Sequence, residues 1–425
     1  MRRLAVALLA VAALSGLAAT AANASTWCGT PTIADRLPQT VAGASIHFVY
    51  AYPSDGTDRL AQFGTTMQTD AETIDAWWRG QDATRTPRFD LFAFSCGAQL
   101  DISDVKLPNT TAELSSIDGR FQKIIIAVAS ATLTAPYQID VIYYDAAPDS
   151  ENVCGQGGTN DPLHGPAFAV LYTESCAAEP TALVAAHEMT HALGAVFPPA
   201  PHDCPPPNDF HVCDSDRDLM YPSGNGTPLA DLVLDVGRDD YYGAAGIGFD
   251  VRTSRRLRHL DEPAAHLALA LNGPGSVKSD VPGVDCVATC ASDWDGGQTV
   301  TLTAAPAAGK RFIRWGGACT GNLTDCTLAL AGNMSVTAVF APEAYVLSIG
   351  VTGHGGVLTS ASGLLCQKRC KLSVSSYQPV LLRAVAQPGW RFKRWAGACH
   401  GTRLRCTLPM TSSAAAAAVF AKKRR

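Results

Sequence analysis

Along the first 262 positions the chain alternates between two periods. SIHFVYAYP, FDLFAFSC, QIDVIYYDA and PAFAVLYTE are short apolar runs rich in β-branched and aromatic residues, and each predicts a strand. Between them, residues 58–79 read as a helix with a polar face. Residues 113–133 have helical periodicity, although their IIIAV core also suits a strand. Residues 180–195 read as a further helix, with Glu179 and Pro180 at its start. Strands alternating with helices predict a mixed sheet covered by helices. Residues 197–228 have no period and are rich in Pro, Asp and Gly, so an irregular segment is expected; one of that length in a compact domain is often functional.

Beyond position 262 the chain repeats itself. Cys286, Cys290, Cys319 and Cys326 recur 80 residues later as Cys366, Cys370, Cys399 and Cys406, Trp315 recurs as Trp395, and GKRFIRWGGACTG as GWRFKRWAGACHG, with no gap. Alternating stretches such as TVTLTAAP and SVTAVF, separated by Gly and Pro, predict two β-rich modules. Residues 414–418, five alanines, read alone as helix. They align with SVTAV of the first copy, so a strand is expected instead. The expected division is 25–262, an α+β body; 263–342 and 343–421, two small all-β modules; and 422–425, a basic tail.

Composition narrows the setting. Of 425 residues 47% are hydrophobic and 17% charged, which excludes wholesale disorder. The net charge of -5 argues against a uniformly basic nucleic-acid binder. The charge is unevenly spread: residues 25–262 carry 14 basic and 32 acidic side chains, residues 263–425 carry 17 and 6. Residues 1–24 combine Arg2 and Arg3, an apolar run and Ala22-Asn23-Ala24, the features of a secretory signal peptide. No later run reaches the length of a membrane span. All 14 cysteines follow that segment, and an even number in an exported chain implies disulfides. Cys319–Cys326 and Cys399–Cys406 are natural local bridges; the other pairings stay open. The expected location is extracellular, with cell-wall association through the basic modules.

The candidate chemistry lies in His187-Glu188-Met189-Thr190-His191. Positions i and i+4 share one face of a helix, so both imidazoles can bind one metal ion, with Glu188 within reach of a metal-bound water. Zinc suits neutral imidazoles and lowers the pKa of its water, and a carboxylate can take the proton released. Gly194 can take a positive φ and turn the chain back. Asp218-Leu219-Met220-Tyr221-Pro222 places a methionine on an apparent turn.

With these residues the body resembles the metzincin zinc endopeptidases, whose signature is H-E-x-x-H-x-x-G-x-x-H followed by a methionine turn. The resemblance implies an α+β metzincin-like catalytic domain with a mixed sheet and an active-site helix. It implies Zn²⁺ on His187, His191 and a third ligand, Glu188 as general base, and Met220 as an apolar floor. The third histidine of the signature would fall at Phe197, so the ligand must come from further on. His202 is the first choice, His211 the alternative, and Asp203 an oxygen donor in reserve; a Cys204–Cys213 bridge would hold both histidines near the metal. Tyr221 is expected to pack rather than to ligate. Asp214, Asp216 and Asp218 alternate as in calcium loops but lack the glycine and glutamate of an EF-hand, so a structural Ca²⁺ is only a secondary expectation.

The modules resemble divergent internalin-type B repeats, and Trp315 and Trp395 are expected to be core residues. Residues 343–425 carry 13 basic and 1 acidic side chain, a surface attractive to anionic polymers such as cell-wall phosphates, nucleic acid or acidic glycans. The expected activity is zinc-dependent hydrolysis of peptide bonds in a protein or peptide substrate. The alternatives are a non-catalytic surface or adhesion protein with a peptidase-like body, and a zinc amidase or peptidase acting on cell-wall peptides.

Overall fold

The computed structural model describes residues 26–33, 36, 42–116, 118–132, 137–146, 153–159, 161, 165–175, 179–196, 200–223, 226–243 and 249–423. Residues 1–24, where a signal peptide is expected, Cys176 and Phe197 lie outside them. The body contains β1 (Ile46–Tyr52), α1 (Leu60–Gln81), β2 (Arg85–Pro87), β3 (Leu91–Phe94), β4 (Gly97–Leu100), β5 (Ile102–Lys106), α2 (Arg120–Thr132), β6 (Ile139–Tyr144), β7 (Gly155–Thr159), β8 (Ala167–Tyr172), α3 (Thr181–Ala192) and β9 (Leu257–His259).

Five of these strands form one sheet in the order β5-β1-β6-β8-β7. The first four run parallel, and β7 closes the edge antiparallel to β8. The central strands are buried on both faces, which is why β1, β6 and β8 read as nearly continuous apolar runs. Ile46, Phe48 and Tyr50 point to the side packed by α1 and α3, among Ile74, Trp78, Leu183 and Met189. Val49 and Ala51 point to the other side, among Ile124 and Val128 of α2. The ambiguous IIIAV run is helical: Ile124 and Val128, four apart, pack on the sheet, while Ile126 is 63% exposed.

FDLFAFSC does form a strand, β3, but it pairs with β4 in a separate hairpin. The sheet positions go to β5 and to the glycine-rich β7, neither of which the apolar pattern singles out. β2 and β9 pair with each other and bring the end of the body back to α1. Residues 200–223 and 226–243 contain no strand and only one 3-10 turn, Leu229–Asp231.

Each C-terminal module is a pair of four-stranded sheets. In the first, Cys290–Trp294, Ala265–Asn272, Asn333–Pro342 and Lys310–Gly317 form one sheet, and Asp285–Cys286, Gly275–Ser279, Thr299–Pro306 and Asp325–Ala329 the other. The second repeats this arrangement, and residues 414–418 lie in its strand Ala414–Lys422. Trp315 and Trp395 are 2% exposed and donate their indole N–H to the Leu323 and Arg403 carbonyls, so both are core residues.

The described bridges are Cys28–Cys96, Cys204–Cys213, Cys286–Cys290, Cys319–Cys326, Cys366–Cys370 and Cys399–Cys406. Six bridges fit an oxidising, extracellular setting. Among the described residues no helix is long and apolar enough to cross a membrane.

The body is tied to the first module through arginines. Arg88, fully buried, donates to Asp295 at 2.8 Å, and Arg258 reaches the same carboxylate at 3.1 Å. Arg255 pairs with Asp280 at 3.0 Å, and the Gly43 N–H donates to the Pro282 carbonyl at 2.9 Å.

Candidate metal centre

Helix α3 buries Ala182, Ala185, Ala186 and Met189 in the core, while His187 lines a cleft and His191 follows it one turn along the helix. Their ring centroids lie 4.9 Å apart. Just past the helix, Gly194 has a φ of 101°, which only glycine adopts without strain; the Gly194 and Ala195 N–H groups donate to the His191 and Thr190 carbonyls.

The irregular segment returns to this face as a short hairpin. The Cys204 N–H donates to the His211 carbonyl at 2.8 Å, the Cys213 N–H to the His202 carbonyl at 3.1 Å, and Cys204–Cys213 closes the pair. The Val212 N–H donates to the Met220 carbonyl at 3.0 Å, which brings the hairpin onto the Leu219-Met220 turn. His211 therefore arrives beside the helix: its ring stacks on His187 at 5.3 Å and meets that of His191 at 4.8 Å, with Nε2 to Nε2 at 3.4 Å. Donor nitrogens of His187, His191 and His211 all lie within 4.8 Å of one another.

His202, the first choice from the sequence, is not in this group. Its backbone N–H and ring Nδ1 both bond the Asp240 carboxylate, at 2.8 and 3.0 Å, and it clusters with Asp214 and Asp240. The cause is the register of the hairpin. Residue 202 pairs with 213 and residue 204 with 211, so the two histidines sit at different levels, and only the 211 level is drawn to the Met220 turn. Asp203 is likewise absent from the histidine group.

The Leu219 carbonyl accepts from His187 Nδ1 at 2.7 Å. A carbonyl can only accept, so Nδ1 carries the proton and Nε2 keeps its lone pair. The turn holding that carbonyl is itself pinned. The buried Asp218 carboxylate accepts from the Met220 and Val236 N–H groups and from the Tyr241 hydroxyl, and Met220 is fully buried. Asp218 is thus consumed in turn bonding. Asp214 lies with His202 and Asp240, so the three alternating aspartates do not converge as in a calcium loop.

Burial pushes His187 down to about 4, and it also pushes His191 well below and His211 below the usual imidazole value. All three rings are neutral near pH 7, the form that offers a lone pair to a cation. Burial pushes Glu188, 7% exposed, up to about 8. A cation beside a buried carboxylate reverses that shift, so three neutral donors and one costly buried acid form a set that a divalent ion suits.

Strand β7 lies directly on α3 beside this group. A Cβ at Gly155 would stand 2.5 Å from Glu188 Cγ, and one at Gly157 would collide with the Glu188 backbone carbonyl. Only glycine permits that approach. The cleft, of about 470 Å³, is lined by His187, Glu188, His211, Gly155, Asp216 and Tyr221. In the residue order only the glycines of GQGGT mark β7, and nothing marks the Leu219 carbonyl.

Residues 281–344 and 351–424 each match the divergent InlB B-repeat domain. No curated protein matches the chain. Among solved structures, wild-type OgpA from Akkermansia muciniphila aligns with 90% of this chain and 99% of its own, at 11% identity and a TM-score of 0.29. Catalytically inactive OgpA in complex with an O-glycopeptide (glycodrosocin) substrate aligns over 92% and 100%, at 10% identity and a TM-score of 0.28. The major pilin T-13 of Streptococcus pyogenes aligns over 38% and 97%, at 10% identity and a TM-score of 0.16. At these TM-scores the likenesses establish neither the fold nor the activity of this chain.

Proposed function

We propose that the body is a zinc-dependent endopeptidase. The observation that carries this reading is the arrival of His211 beside His187 and His191, with Glu188 on the same cleft. His187 through Nε2, His191 and His211 would hold the ion, with the His187 ring oriented by the Leu219 carbonyl. When bound, zinc supplies Lewis acidity, making water acidic and the scissile carbonyl electrophilic.

The chain's own residues account for the rest. The Glu188 carboxylate takes the proton of the attacking water and passes it to the leaving amine nitrogen. Burial keeps competing water from that carboxylate. β7 pairs only with β8 among the described strands, and its Gly155 lines the cleft. Its free edge offers main-chain donors and acceptors to an extended peptide.

The test is Glu188→Gln measured against an unfolded protein substrate. Turnover should fall by roughly 10²- to 10⁴-fold with zinc still bound one to a chain, because the proton carrier is lost and the three ligands stay. Full turnover in this variant, or none in the wild type with zinc present, overturns the reading. The second outcome favours a body that only binds.

A further inference from the structure

The two modules share one fold, so each residue of the first is a control for the residue 80 positions later in the second. The comparison singles out the outward face of one sheet. In the first module the row across its four strands is Asp285, Lys278, Thr303 and Asp325. Lys278 and Asp285 pair at 3.0 Å, and the neighbouring Thr301 hydroxyl bonds that of Thr327. In the second module the same row is Leu365, Leu358, Arg383 and Arg405, with Leu381 in the place of Thr301 and Val385 in that of Ala305.

These side chains face solvent in the whole chain: Leu365 is 41% exposed, Leu358 36%, Leu381 37% and Val385 40%. Leu358 and Leu365 stand directly opposite each other on paired strands, and Leu365 lies over Gly356, where a Cβ would stand 2.8 Å from its Cδ1. Arg383 and Arg405 stand directly opposite each other on paired strands. Like charges so placed repel, and the first module has none there. A contiguous apolar patch beside unrelieved cations marks a contact surface rather than a solvated one.

The chemistry of the face selects its partner. It carries no aromatic ring, so it lacks the stacking platforms that sugars and single-stranded nucleic acids use. A bare polyanion would satisfy the arginines and leave the aliphatic row without a role. An anionic lipid bilayer satisfies both, with headgroup phosphates for the guanidinium groups and the acyl boundary for the leucines. We propose that this face of the second module docks the protein on anionic lipid membranes.

The experiment uses the full chain and vesicles of phosphatidylcholine with or without phosphatidylglycerol, read by co-sedimentation. Wild type should sediment with the anionic vesicles and not with the neutral ones. Leu358→Lys, Leu365→Asp and Leu381→Thr together install the first module's residues and should weaken binding by at least roughly tenfold. Arg383→Thr with Arg405→Asp should do the same and remove most of the salt dependence. Near-UV circular dichroism checks the fold, and the milder pair Leu381→Thr with Val385→Ala should weaken binding by a smaller factor. Failure of the wild type to bind anionic vesicles overturns the proposal. So does a folded leucine variant that binds as the wild type does, since the partner would then be a polyanion recognised by charge alone.

Discussion

His202 and His211 differ by nine positions and by one hairpin level, and that level decides which of them faces the helix. The ring of His202 is spent on Asp240, whereas the ring of His211 meets both histidines of α3. His211→Ala should therefore weaken zinc binding by more than roughly 100-fold, beyond the cost of losing an outer-shell partner. His202→Ala should keep one zinc per chain with a far smaller loss. Titration against a competing chelator measures both. Distance alone is not chemistry at this scale. His47 bonds Asp90 at 2.7 Å and Ser103 at 2.8 Å, the spacing of a Ser-His-Asp triad, but all three are at most 1% exposed and no substrate reaches them. They tie β1 to β5, and the His187 group differs by opening onto a cleft.

At the scale of elements, α3 and β7 make the site together. The helix was legible because its apolar positions recur at its own period and its histidines fall one turn apart. β7 was not, because GQGGT has no apolar alternation; Gly155 and Gly157 are required by the helix beneath them. Gly157→Ala tests that requirement. Its methyl would collide with the Glu188 backbone, which cannot rotate away, so the strand or the helix must move. The expected cost is about 1–3 kcal/mol of stability, seen as a lower unfolding midpoint, with a larger fall in turnover because Glu188 moves with its backbone. The alanine run at 414–418 teaches the converse. Local propensity favours helix, yet the segment pairs in a sheet with residues 347–351, which the internal repeat reveals and propensity does not.

At the scale of the molecule, the body and first module are joined by buried charge. Arg88 is 0% and Asp295 17% exposed in side chain, and burial, only partly offset by the Asp295 charge, pushes Arg88 down to about 10. Removing one partner of such a pair leaves the other desolvated without compensation. Asp295→Asn should cost up to about 3–5 kcal/mol and lower the first transition in thermal unfolding, with new protease cleavage between body and modules. The second module, which the junction does not touch, should unfold as before.

Local order along the chain determined whatever depends on neighbours in sequence. This covers the strand and helix periods of the body, the two imidazoles on one helical face, the repeat at 80, and the bridges between cysteines seven apart. Each follows from backbone period or short-range closure, which the residue order alone contains. Tertiary structure decided what depends on residues far apart. It chose His211 over His202, set the glycine strand against α3, seated Arg88 on Asp295, and left Leu358 facing solvent where Lys278 faces it in the sister module. Those outcomes turn on hairpin register, close approach and burial, which exist only once distant segments have packed.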